Sequence, residues 1–497
     1  MKRLTLLTRY ITIPGLLISI ILTSSCQLET GDSVKNESVN FSDSAIYGLE
    51  AERSIASPDV VSDGNGGAIV IYGELTADEY QEIHVQRINR DGETVWDRVL
   101  GKGYAFRSDQ LTLISDGNGG AITYVLVSPV DEVALPSETI FRIGAGGEII
   151  WQAELPVNSS VEQICPDSSG NAFIAYSKSN QRDNLFIQRT GNDGTFLWDD
   201  DGVLLRRDNY QFMSSRLVPD SSGGIIVIWD ELDNGSRFCG QRIDGEANLL
   251  WEGQSFIKKG KVLYTTIHVV DRQQAMTIPD GLGGILLNWI EYTTDIYYIT
   301  ALNLDSSGSI EWQTQIELDK NLTAPGYVAF PFIGRDMSGN IMTLWSSSDS
   351  LYAQKLDSLG KPGWSDHGMQ VWHDPDTMRV SSQGTPDGSG GFFVAWGYIG
   401  NSESIQEKRL RIQKLDLEGT NLWGDKGILI ETEDKIFASA GNLISDGEGG
   451  LLLAWTTGPL VPSPLGMDVF SSRDSFIQKL NSEGDPVWEP GGIKLGE

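Results

Sequence analysis

The side chains able to do chemistry are few and poorly partnered. Four histidines occur, His84, His268, His367 and His373, and none has a metal-ligand partner at helical or hairpin spacing. His367 and His373 stand six apart with Asp374 and Asp376 after them; a metal site and a solvated loop both fit that set, and no metal is expected. An aspartate recurs at Asp63, Asp116, Asp167, Asp220, Asp280, Asp336, Asp387 and Asp446, each with glycine three residues on. Carboxylate and backbone oxygens suit calcium, but calcium loops alternate several acidic ligands and most copies here offer one. The expected role is turn geometry. No serine elbow, phosphate loop or metalloprotease helix motif occurs. Among 68 acidic residues no carboxylate pair stands out as acid and base, so no catalytic residue is expected.

Binding candidates are fewer still. Of 14 tryptophans, all but Trp372 fall into repeating columns. Trp372 stands between repeats beside His373, Asp374 and Asp376. A tryptophan outside a packing pattern is a candidate for a partner or sugar contact, with loop packing as the alternative. Tyr264 follows the basic Lys258, Lys259 and Lys261. Phe470 lies in an excursion stiffened by Pro459, Pro462 and Pro464.

These residues need a scaffold, and the repeat supplies it. After each Asp come Gly and then Gly or Asn, the residues that best tolerate positive φ. Nine residues after the Asp stands a large side chain: Tyr72, Val125, Tyr176, Trp229, Trp289, Trp345, Trp396, Trp455. The stretch between is apolar and often β-branched, which predicts a buried strand. Each copy closes on a tryptophan: Trp96, Trp151, Trp198, Trp251, Trp312, Trp364, Trp423, Trp488. Ten residues earlier is Gln in six copies, with Phe141 and Leu302 in the others; four earlier is Gly in seven, with Ala247 the exception. The Gln column predicts a repeated side-chain-to-backbone hydrogen bond. A strand before the Asp, one after it, a third through the Gln and a fourth carrying the Trp make four strands per 51 to 60 residues, eight times over. That predicts an all-β chain with one eight-bladed β-propeller of four-stranded blades over residues 52–497. Loop lengths place function: both tight turns share one face, while the second-to-third loops and inter-blade connections on the other face vary.

The Gln-Lys-Leu-Asp-x-x-Gly-x-x-x-Trp pairs, Gln354 to Trp364 and Gln413 to Trp423, resemble the tryptophan-docking repeat of quinoprotein-like eight-bladed propellers. The Asp-Gly-x-Gly-Gly turns resemble repeats common in bacterial envelope proteins. The quinoprotein dehydrogenases usually carry adjacent cysteines near the cofactor. This chain has none, so no cofactor is expected. Cys165 and Cys239 fall on strands that should not be neighbours, which predicts two buried thiols.

Residues 1–25 resemble a lipoprotein signal peptide. Lys2, Arg3 and Arg9 precede an apolar run from Ile11 to Leu22, and Leu22-Thr23-Ser24-Ser25-Cys26 resembles a lipobox with Thr23 where Leu is usual. Cys26 is the expected lipid-attachment residue, and residues 26–51 are a polar, flexible tether. Gln27 after the cysteine does not favour inner-membrane retention in other lipoproteins, which implies the outer membrane, periplasmic or surface-facing. The chain carries a net charge of −31; without Lys2, Arg3 and Arg9 the balance is 34 − 68 = −34. That argues against nucleic acid and against electrostatic docking on anionic lipid. Membrane contact is expected through the N-terminal lipid only. The expected function is a monomeric, non-enzymatic scaffold for an envelope protein partner. A surface-glycan-binding module or an enzyme with its site at the channel mouth are the alternatives.

Overall fold

The computed structural model describes residues 11–13 and 16–18 and, from Ile55 to Gly496, the sheets with their tight turns. Residues 1–10, 14–15 and 19–54, several single positions, and loop segments such as 104–110, 128–136, 252–260, 319–328, 401–407 and 463–467 lie outside the described residues. So does the expected lipid site Cys26. The chain divides into units Met1–Glu52 and Arg53–Glu497. In the first, Ile11–Ile13 and Leu16–Ile18 pair antiparallel.

The second unit is an eight-bladed β-propeller. Eight four-stranded antiparallel sheets follow one another, each made of consecutive chain. Blade one runs from Asp59 to Gly103 and blade eight from Phe437 to Lys494. The first strands of neighbouring blades lie side by side around the ring, and those of blades eight and one meet. No strand is exchanged at that junction.

Strand alternation explains why the blades stack. Successive side chains point to opposite faces. In blade one, Ile69 and Ile71 face blade two, whereas Ala68, Val70 and Tyr72 face blade eight. Each seam between blades thus holds its own apolar cluster, and the eighth joins blade eight to blade one through Trp488, Leu452 and Val60. Each cluster sets the closing Trp of one blade against the large residue nine after the Asp of the next: Trp198 with Trp229, Trp251 with Trp289. All eight residues of that second column are buried. A buried Trp contributes a gross ~4–6 kcal/mol, an upper bound before entropy.

The fourth strand departs from expectation in five blades. In blades one, two and five it carries the closing Trp, as in Thr94–Gly103, Ile149–Glu154 and Ile310–Glu317. In blades three, four, six, seven and eight the Trp precedes it, and the strand begins later, as at Val203–Arg207 and Met369–His373. The Gln column supplies the missing ladder. Gln413 Oε1 accepts from the Lys414 and Trp423 N–H groups (2.9 and 2.8 Å), and its Nε2 donates to the Gly424 carbonyl. Gln188, Gln241, Gln354 and Gln478 do the same. The blades with Phe141 and Leu302 keep a continuous fourth strand and have no need of the amide.

Candidate functional site

The two faces of the ring are built differently. Every Asp turn is five residues long, from Asp63–Gly67 to Asp446–Gly450. In each, Asp Oδ1 accepts from the N–H groups two and four residues on, at 2.8 Å in both cases at Asp116. In six blades Oδ2 faces the cation that follows the Gln or Phe position: Arg87, Arg142, Arg189, Arg242, Lys414 or Lys479, at 2.8–3.4 Å. The same cations reach across the seam, Arg87 Nη1 to Ala145 O at 2.7 Å and Lys479 Nζ to Gly66 O at 2.9 Å. Each closing indole but that of Trp151 donates to a carbonyl of the next blade's turn, as Trp96 does to Ala145 and Trp488 to Arg90. The turn glycine lies under that indole: a Cβ on Gly147, at φ +82, would come 2.8 Å from Trp96. The carboxylates of Asp167, Asp220 and Asp387 sit below their usual range. Burial opposes this, but backbone N–H groups and the facing cation or hydroxyl outweigh it. With N–H and ammonium or guanidinium donors on both oxygens, the six cation-paired aspartates hold turns and seams.

On the other face the strands are joined unevenly. Two residues separate Lys178 from Gln181 in blade three, whereas residues 459–473 separate Gly458 from Asp474 in blade eight. That insert contains its own antiparallel pair, Leu460–Pro462 with Asp468–Phe470, so Phe470 ends a hairpin strand. Tyr264 lies in the fourth strand of blade four, Lys261–Thr266. Lys258 and Lys259 lie outside the described residues.

Trp372 was expected in a connection outside the packing, and the structure corrects that. It sits in the fourth strand Met369–His373, 5% exposed, with Trp396 and Tyr398 of blade seven at ring-centroid distances of 5.8 and 5.0 Å. Once the fourth strand starts after Trp364, residue 372 falls on a seam-facing position rather than in a loop. His373 is exposed, its Nδ1 2.9 Å from Ser350 Oγ. Asp374 caps the turn to blade seven by accepting from the Asp376 N–H at 3.1 Å.

At the inner, loop-face ends of blades two to four the structure gathers ionisable groups that no spacing announced. Glu138 accepts from the Val161 N–H of the next blade and from Ser160 Oγ. Burial, with a smaller push from Glu162, raises it to about 7. Glu162 accepts from Ser177 Oγ at 2.7 Å and is also raised, by burial; Ser177 and Arg216 work against the rise. Arg216 is lowered by burial, against the attraction of Asp230 and Glu162. Tyr124 is pushed up to about 12 by burial and Glu138. Cys165 and Cys239 are buried free thiols, as expected.

No protein-family model and no curated protein matches the chain. Among solved structures it is similar to a quinonprotein alcohol dehydrogenase-like protein from Bacteroides thetaiotaomicron, with TM-score 0.37 and 11% identity over 90% of each chain. It is also similar to prolyl oligopeptidase B from Galerina marginata, TM-score 0.45 and 9% identity, covering 88% of this chain and 60% of that one. A third likeness is to a protein of unknown function from Bacteroides caccae, TM-score 0.28 and 15% identity over 56% of this chain and 85% of that one. The blade count rests on the sheet topology above.

Proposed function

We propose that the chain is a lipid-anchored envelope propeller that binds a protein partner on its loop face without catalysing a reaction. One observation carries the reading: the turn face is committed to inter-blade bonding in a uniform five-residue turn, while the loop face carries a 459–473 insert with its own strand pair. Uneven loops on a rigid ring are where recognition usually sits. The test replaces Thr457–Ser475 by a short Gly-Ser link and reads melting temperature and recovery of the envelope partner together. The expected variant melts like the parent and loses the partner. Retained recovery, or loss of the partner on altering the Asp116 and Asp387 turns instead, overturns the face assignment. Recovery of polysaccharide in place of protein moves the reading to a surface-glycan module.

Catalysis is a second reading because Glu138 and Glu162 converge with Arg216 at the channel mouth. A carboxyl titrating at about 7 is matched to proton transfer near neutral pH. Glu138→Gln and Glu162→Gln leave partner recovery unchanged under the scaffold reading.

A further inference from the structure

On the turn face, blades five and six break the pattern. The second residue after the turn Asp is Asn, Ser or Glu in seven blades and Leu282 in blade five; the first is Gly or Ser in seven and Met337 in blade six. In the turn before the closing Trp, the position of Leu359 is acidic in five other blades: Asp91, Asp193, Glu246, Glu418 and Glu483. Leu282, Met337 and Leu359 are 79%, 92% and 77% exposed, the most exposed large apolar side chains among the described residues. They belong to one seam. Arg335 Nη1 comes 2.5 Å from where a Cβ on Gly281 would stand, so the blade-six turn lies against the blade-five turn. The blade-five indole of Trp312 donates to Ser358 O, next to Leu359, at 3.1 Å. Arg335 is half-buried between these turns. Among the described residues its guanidinium has no hydrogen-bond or ion-pair partner. Lys361, beside Leu359, is exposed.

We infer that this sector is a membrane-contact site: Leu282, Met337 and Leu359 enter the acyl boundary of a phospholipid surface while Arg335 and Lys361 meet its phosphates. The side chains are separate knobs at turn tips. A specific protein interface buries about 800 Å² on each side with some 20–30 residues, and three knobs do not provide that. A bilayer needs no cleft; it takes isolated apolar tips with cations just above them. Arg335 offers a planar donor set suited to phosphate. The acidic residues that would repel a headgroup surface occupy the equivalent tips of other blades and are replaced here. Contact is through the ring itself, in addition to the N-terminal lipid.

The test uses the chain from Gln27 onward, which carries no acyl group and keeps all eight sheets, floated with vesicles of phosphatidylethanolamine and phosphatidylglycerol. The parent is expected to float. Leu282→Ser with Met337→Ser and Leu359→Ser is expected to lower the bound fraction at least about tenfold, and Arg335→Gln severalfold, with melting temperature unchanged because these groups are exposed or unpaired. Asp91→Ser, at a blade-one tip, is expected to leave flotation no weaker than the parent's. The proposal fails if the parent stays with the soluble fraction, or if the triple variant floats as well as the parent. It also fails if vesicles leave the parent behind while the same substitutions break a complex with an envelope protein, which makes the sector a protein contact.

Discussion

Blades two and seven reach the same docking by different means. In blade two the fourth strand pairs directly with the third, Trp151 opposite Arg142, and the residue ten before the Trp is Phe141. In blade seven the chain makes one bridge, Leu415 to Asn421, then turns through Gly424 and Gly427 before pairing again at Ile428. Gln413 closes the gap with three hydrogen bonds. The seam specifies where the closing indole must lie, and the fold tolerates either a ladder or a side-chain amide to put it there.

The largest expected effect tests where burial went when the fourth strand moved. Trp372→Ala should cost about 3–5 kcal/mol, as a core truncation that opens a cavity beside Trp396 and Tyr398. Trp423→Ala, at a half-buried closing position, should cost less. Denaturant melts that rank them the other way would restore Trp372 to a loop-like role. Next is the amide. Gln413→Leu strands two backbone N–H groups and a carbonyl, at roughly 2–3 kcal/mol, whereas Gln86 lies in a blade with a continuous fourth strand and bonds Thr94 Oγ1. Gln86→Leu should cost under about 1 kcal/mol; equal losses would mean that the amide does not stand in for the ladder. The smallest effect belongs to blade one, whose fourth strand brings Asp97 within 2.8 Å of both His84 and Tyr72. Burial opposes a charge on His84, but Asp97, Glu74 and Glu82 outweigh it and raise its pKa above 6.5. Its stabilisation is therefore full below pH 6.5 and lost as pH rises through the folded value. With Asp97 about a third exposed, the change should stay under about 1 kcal/mol. Melts across that window should show a slope that His84→Gln removes.

Repetition decided what could be read from residues alone. Eight copies of Asp, Gly and Trp made the blade count and the buried second strand legible, because each position answers a backbone or packing demand present in every copy. The fourth strand was misplaced because two sequence types follow the Trp. Gly stands four residues after Trp198, Trp364, Trp423 and Trp488, and a strand-like alternation follows Trp96, Trp151 and Trp312. That shift alone sent Trp372 to the wrong environment. The cations at Arg87, Arg142 and their equivalents were in plain view after the Gln or Phe position. They went unnoticed because the Asp was read as a turn former rather than half of an ion pair. The Glu138, Glu162, Arg216 and Asp230 cluster was not legible at all. Its members occupy different ranks in different blades, and only the curvature of the ring brings them together.

The junction of blades eight and one repeats the bonds of the other seams: Trp488 to Arg90, Lys479 to Gly66, and an apolar cluster of the same make-up. Asp59 adds a clasp, accepting from Asn442 Nδ2 of blade eight at 2.6 Å and from the Leu113 N–H of blade two at 2.7 Å. Since no blade borrows a strand, the ring has no privileged origin. Cutting the chain in any inter-blade connection and rejoining it at the present junction gives a circular permutant with the same set of seams, so the order of blades along the gene is separable from their order in space.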